Sequence, residues 1–240
     1  MKKLLLLAAA TALALAVGCG GGGQSAGFGF AKLRMIHLSS GAGNVDFAYR
    51  DEALGTAVPY SQARPAAGEP GQLLDTGDGT LSARTFGAGA ATFTRSLTLE
   101  SDRIYSAVFT GVVGETGTDA PRFIVTSDVE ADLPRNRFSF RLLHAALDEQ
   151  AVDFYLTAEN ETIADRNPTV SNLSRYGVSP LVAATPGTVR FWVTPVGSKT
   201  PIFNGLVVLD EGVYAVVSMV QDGGGPGLAF LGHGAPLDVQ

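Results

Sequence analysis

The sequence predicts an all-β chain: two tandem, Ig-like antiparallel β-sandwich domains that follow a signal peptide and a flexible tether. Three observations carry this. An opening motif recurs once, about a domain length further on. Apolar residues alternate with others in short runs broken by turn residues, and no segment of the mature chain sustains a helical period with caps. The 240 residues suffice for one large domain or two of about 100 residues each. Thirty glycines and twelve prolines suit short strands and turns better than helices. The expected boundaries are 1–18 for the signal peptide, 19–30 for the tether, 31–133 for the first repeat and 134–240 for the second.

At the N-terminus, Met1-Lys2-Lys3 precedes an apolar run from Leu4 to Val17 and then Gly18-Cys19. A positive end, an apolar core and small residues at a cleavage point make a secretory signal. The run is too short to cross a bilayer, which takes about 20 apolar residues. Ala16-Val17-Gly18-Cys19 resembles the lipobox of bacterial lipoproteins, with Ala16 where Leu is usual and Leu15 one place earlier. Cys19 is the only cysteine and so has no internal disulfide partner. The alternative is an ordinary signal peptide with an incidental cysteine. Gly20 to Gly23 and the stretch up to Gly29 read as a flexible tether. Lipidation of Cys19 would place the chain in the cell envelope, anchored to a membrane, since several acyl chains hold firmly where one does not. Gly20, in place of the Asp that retains enterobacterial lipoproteins in the inner membrane, points to the outer membrane in a Gram-negative host.

The repeat begins with Arg34-Met35-Ile36-His37, which returns as Arg141-Leu142-Leu143-His144. After a loop of equal length, Val45-Asp46-Phe47 returns as Val152-Asp153-Phe154. Further on, Gly79-Thr80-Leu81 aligns with Gly187-Thr188-Val189, Ile104-Tyr105 with Val213-Tyr214, and Pro121 with Pro226. Glu130 to Arg137, with Pro134 inside, is the natural joint. Leu33, Met35 and His37 alternate with Arg34, Ile36 and Leu38. Val189, Phe191 and Val193 likewise alternate with Arg190, Trp192 and Thr194. Gly77-Asp78-Gly79, Pro186-Gly187 and Asp210-Glu211-Gly212 mark turns.

These motifs resemble the bacterial domain of unknown function family 4397. The second copy carries the resemblance most fully, adding Tyr176-Gly177, Thr185-Pro186-Gly187-Thr188 and Gly212-Val213-Tyr214. The first copy keeps the opening motif and then runs through a Pro/Gly-rich stretch from Gly55 to Gly79. The resemblance implies an exported, Ig-like sandwich of unestablished function and carries over no catalytic residues.

A formal charge of -6 and no basic run give no electrostatic footprint for nucleic acid or anionic lipid. The repeated Arg34, His37, Asp46, Arg141, His144 and Asp153 allow two readings. One is a structural polar network that satisfies buried groups and pins strand register. The other is a general base with its orienting carboxylate, His37 with Asp46 and His144 with Asp153, as in an envelope hydrolase. Occurrence in both copies favours the framework. Gly23-Gln24-Ser25-Ala26-Gly27 spells a nucleophile-elbow motif, but it sits in the tether without the strand and helix that motif requires. Asp75 to Gly79 has spaced carboxylates like a calcium loop yet lacks its closing bidentate Glu, so an Asp-Gly turn is expected. Neither a cofactor nor a metal site is expected. Trp192, the only tryptophan, and Arg190 form a possible ligand platform for sugar or protein, unless that face packs under a loop or the other copy. The expected function is a non-catalytic, lipid-anchored binding or structural module, with an envelope protein or polysaccharide as partner. The alternatives are a hydrolase and a carbohydrate-binding module.

Overall fold

The computed structural model describes residues 29–66, 71–86, 91–147, 149–222 and 225–233. The expected signal peptide, Cys19, the tether up to Phe28 and its Gly-x-Ser-x-Gly motif lie outside them. The first half contains β1 (Phe30–Ser40), β2 (Val45–Tyr49), β3 (Glu52–Val58), β4 (Gln62–Arg64), β5 (Gln72–Asp75), β6 (Gly77–Thr85), β7 (Thr92–Leu99), β8 (Arg103–Val112) and β9 (Arg122–Val129). The second contains β10 (Phe138–His144), β11 (Val152–Ala158), β12 (Val170–Leu173), β13 (Val182–Ala184), β14 (Gly187–Pro195), β15 (Phe203–Leu209), β16 (Tyr214–Asp222) and β17 (Gly225–His233). Among the described residues the only helical segments are two single 3₁₀ turns, Gly117–Asp119 and Glu130–Asp132. The chain is all-β.

Strand order follows one plan twice. An inner sheet of order β4-β1-β8-β9 lies with an outer sheet of order β3-β2-β6-β7, and β13-β10-β16-β17 lies with β12-β11-β14-β15. β5, which pairs with the start of β1, has no counterpart; it falls in the Pro/Gly-rich stretch. Each half closes over its own core. Leu33, Met35 and Phe109 meet Phe47, Tyr49 and Leu81 in the first; Phe140, Leu142 and Val217 meet Phe154, Phe191 and Val193 in the second. A third cluster joins the halves: Ile36, Leu38 and Val108 of one inner sheet pack on Leu143, Val216 and Val220 of the other. The four sheets therefore stack outer, inner, inner, outer.

That stacking explains why the inner strands lack the polar face of an ordinary sandwich. Eight of the ten residues of β8 are buried. It also accounts for one departure from the antiparallel expectation: β1 pairs with β8, and β10 with β16, in parallel. The chain leaves each inner strand for the outer sheet and returns beside it running the same way. Such a crossover leaves both neighbours covered, as parallel strands generally are.

Register corrects two of the sequence alignments. Arg34 lies opposite Ser106 and Arg141 opposite Val216, which makes Ile104 the equivalent of Tyr214 and Tyr105 that of Ala215. A slip of one residue reverses a side chain's face. Tyr105 accordingly points into the first core, whereas Tyr214 points between the inner sheets. The turn glycine matching Gly187 is Gly77 and not Gly79. Both open their strands at positive φ, 112° and 126°, where a side chain would be strained. Pro121 and Pro226 do correspond: the residue after each, Arg122 or Gly227, lies opposite Thr110 or Val220, although Pro226 is itself inside the β17 ladder.

Candidate functional site

The six repeated polar residues do not meet in one network. They form three separate devices, each made twice or nearly so.

The histidines close the inner strands. The His37 ring accepts the Ser39 N–H at Nδ1 (3.3 Å), so Nε2 carries the proton and donates to the Gly43 carbonyl at 2.8 Å. His144 Nε2 makes the same bond to the Gln150 carbonyl at 2.6 Å. Each bond ties the end of an inner strand to the loop that leads to the outer sheet. Both rings are fully buried, and Phe47, Tyr60 and Phe109 surround His37. Burial holds both imidazoles below the usual histidine pKa against the opposing pull of the carbonyl bond. A neutral His37 with both nitrogens engaged has no lone pair to offer a substrate.

The carboxylates sit elsewhere. Val45 and Phe47 point into the core, so Asp46 projects from the opposite face of the outer sheet, and a His37-Asp46 dyad does not form. Asp46 accepts the Ala57 N–H at 2.8 Å and a bond from Arg84 at 3.1 Å. Asp153 accepts the Asn172 N–H at 2.7 Å and the Gly197 N–H at 2.9 Å. Ala57 and Asn172 have φ of 48° and 51°, and both lie where strand register shifts. A bulge leaves a backbone N–H without a ladder partner. In each half the motif carboxylate captures it. The Ala57 N–H, then Arg84, holds the Asp46 carboxyl below the usual carboxylate range, outweighing the effect of burial.

The arginines lie between the halves. Arg34 shares the face of Ile36 and Leu38 and is fully buried. Arg141 grips Asp128 of β9 with two bonds, 2.8 Å from Nε to Oδ2 and 2.6 Å from NH2 to Oδ1, and donates to the Ser179 carbonyl. The Tyr214 hydroxyl donates to the same carboxylate at 2.7 Å. Burial, followed by the neighbouring Asp128 charge, pushes the Tyr214 phenol well above its usual pKa. At another point of the interface, Asp119 accepts the Tyr176 hydroxyl and pairs with Arg175 at 3.3 Å, while Arg122 lies over the Tyr176 ring. The sequence reading missed Asp128, Asp119 and Tyr176 as partners. The signal it could have used was an acidic residue, Asp128, inside the alternating strand Arg122–Val129.

Trp192 is half-buried on the outer face of the second outer sheet. Its indole N–H donates to Thr157 at 2.9 Å, and the Arg190 guanidinium lies 5.6 Å from the ring centroid. Arg190 itself donates to the Glu159 carbonyl and to Asn204. The loop from Glu159 to Thr169 crosses this face: Ile163 is buried, Thr157 donates to the Glu161 carbonyl, and Thr169 bonds both ways with β11. The possible ligand platform is thus partly roofed by a loop.

At the calcium-like turn, Arg50 donates to the carbonyls of Asp75, Thr76 and Asp78, so a guanidinium occupies the place a cation would take. No cluster of three or more His, Cys, Asp or Glu side chains that could hold a metal occurs among the described residues.

A family model described as "Domain of unknown function (DUF4397)" matches residues 31–155, more than half of the chain. The chain belongs to the DUF4397 family. The match covers the whole first half of this DUF4397 protein and continues through β10 into β11. It therefore falls on the copy whose motifs are the less complete. No curated protein matches. Among solved structures, one of family 41 carbohydrate-binding modules from streptococcal virulence factors is similar at 10% identity, over 79% of this chain and 93% of that one, with a TM-score of 0.26. A candidate cell adhesion protein from Bacteroides ovatus is similar at 12% identity, over 88% and 98%, also at 0.26. Likeness at that level carries no argument about what the DUF4397 chain binds.

Proposed function

We propose that this chain is a non-catalytic, lipid-anchored cell-envelope protein, built of two tandem copies of one sandwich, whose body serves as a binding or structural module. One observation carries the reading. The polar residues placed to do chemistry, His37, Asp46, His144 and Asp153, are each spent on a backbone group that shapes a loop or a bulge. The twofold strand plan, with boundaries near 31–133 and 134–240, supports duplication. Lipid on Cys19 followed by the Gly-rich tether would hang this body from the membrane, the outer one in a Gram-negative host. The partner in this reading is an envelope protein or a polysaccharide, with no role for nucleic acid.

Expression of the wild type and of Cys19→Ala, with mass spectrometry of the N-terminal peptide, tests the anchor. The reading expects diacylglyceryl on Cys19 and release of the variant from the membrane fraction. An unmodified, soluble wild type overturns it. A carbohydrate-binding role is the second reading, because Trp192 is only half-buried and lies beside Arg190. It predicts that a glycan quenches or shifts Trp192 fluorescence; an unchanged spectrum across a glycan panel refutes it.

A further inference from the structure

A sheet edge exposes unpaired backbone groups that invite another strand, and proteins blunt such edges with charge, proline, bulges or shortness. Among the described residues, eight of the nine edge strands carry such a device; β5, which shares an edge with β4, is only four residues long and ends in Asp75. β4 and β13 are three residues long, β3 and β12 pair through register shifts, and β17 contains Pro226. β9 carries Arg122 and Asp128, and β7 carries Arg95, which reaches across to the Phe123 carbonyl. The exception is β15. Its sequence, Phe-Asn-Gly-Leu-Val-Val-Leu, contains no charge and no proline, and it holds unbroken register with β14 over all seven residues. Its outward face shows Leu206 half-buried and Val208 44% exposed.

We infer that the β15 edge is a docking surface for the β15 edge of a second copy of this chain, paired antiparallel about Leu206. Charge at the strand ends selects that occupant. Lys199, held by the Arg166 carbonyl and over the Tyr155 ring, precedes the strand and keeps its charge at an exposed position, and the exposed Asp210-Glu211 follow it. A twofold, antiparallel pairing brings the positive end of each strand to the negative end of the other, whereas a parallel pairing sets like charges together. Leu206 and Val208 of the two copies then form one apolar strip across the joined sheets. β7, the equivalent edge of the first half, presents Thr94, Ser96 and Thr98 and supplies an internal control.

The test uses the full chain in its membrane fraction, with single cysteines at Asn204, Leu206 or Val208 on β15 and at Ser96 on β7. The unsubstituted chain controls for any free thiol on Cys19. A short bis-maleimide cross-linker should trap a homodimer several-fold more from the β15 positions than from Ser96, with the maximum at Leu206. Adding Val208→Lys to the Leu206→Cys chain should suppress it without lowering the melting temperature. Equal trapping at Ser96, no homodimer at any β15 position, or adducts only to other proteins overturns the inference.

Discussion

On the first outer sheet Asp46, Ala48, Ser82 and Arg84 line an open groove of about 260 Å³. At the equivalent positions of the second stand Asp153, Tyr155, Trp192 and Thr194, crossed by the loop from Glu159 to Thr169. Only the aspartate is shared, and even its second partner differs: Arg84 from the neighbouring strand in one half, the Gly197 backbone N–H in the other. What recurs in the two halves is what shapes the backbone. What differs is the surface, where small residues on one side face aromatic ones on the other. Specialisation of the halves therefore resides in their outer faces and edges, on a frame common to both.

The largest expected effect breaks the frame where the halves meet. Asp128→Ala leaves the buried Tyr214 and the half-buried Arg141 without their shared acceptor; losing one partner of a fully buried pair costs roughly 3–5 kcal/mol, so about 3 kcal/mol is expected here. Asp119→Ala removes a more exposed partner of the same interface and should cost less than about 1 kcal/mol. Urea denaturation of both variants measures the difference. Equal losses would mean that the interface is not organised around Asp128. Next, Asp153→Ala frees two backbone N–H groups beneath a buried side chain and should cost about 2–3 kcal/mol. Asp46→Ala, at the more exposed site, should cost about 1 kcal/mol by the same denaturation. Smallest is Thr157→Val, which takes the acceptor from the Trp192 indole. It should cost about 1 kcal/mol and shift Trp192 emission, while the matching change at Arg50 in the first half leaves emission unchanged.

Much of the frame was legible in the sequence, because strand alternation and the Arg-x-x-His and Val-Asp-Phe motifs report local geometry. The alternation at Leu33, Met35 and His37 correctly separates the core face from that of Arg34. What alternation does not reveal is which face meets water. Both faces of β1 are buried, and that depends on the stacking of two inner sheets brought together from distant parts of the chain. The Arg141–Asp128–Tyr214 contact was hidden for the same reason, having no counterpart at a constant offset. The Tyr105 alignment failed because one residue of slip in register is invisible to a motif yet reverses a side chain. The histidine-aspartate pairing failed because a short connection can lead to a different sheet as readily as to a hairpin.

The framework role of the histidines is open to one direct measurement, the stability of wild type and His37→Ala/His144→Ala from pH 8 to pH 5. Each folded imidazole has a lowered pKa, so below about pH 6.5 the unfolded chain takes up protons that the native chain refuses. Wild-type stability should therefore be full above that pH and fall as the solution is acidified, by up to about 1.4 kcal/mol per pH unit for each histidine. The double variant should be about 3–4 kcal/mol less stable at pH 8, having lost two strand-to-loop bonds and two buried rings, and its pH dependence should be flatter. A double variant with wild-type stability and an unchanged pH slope would contradict the account.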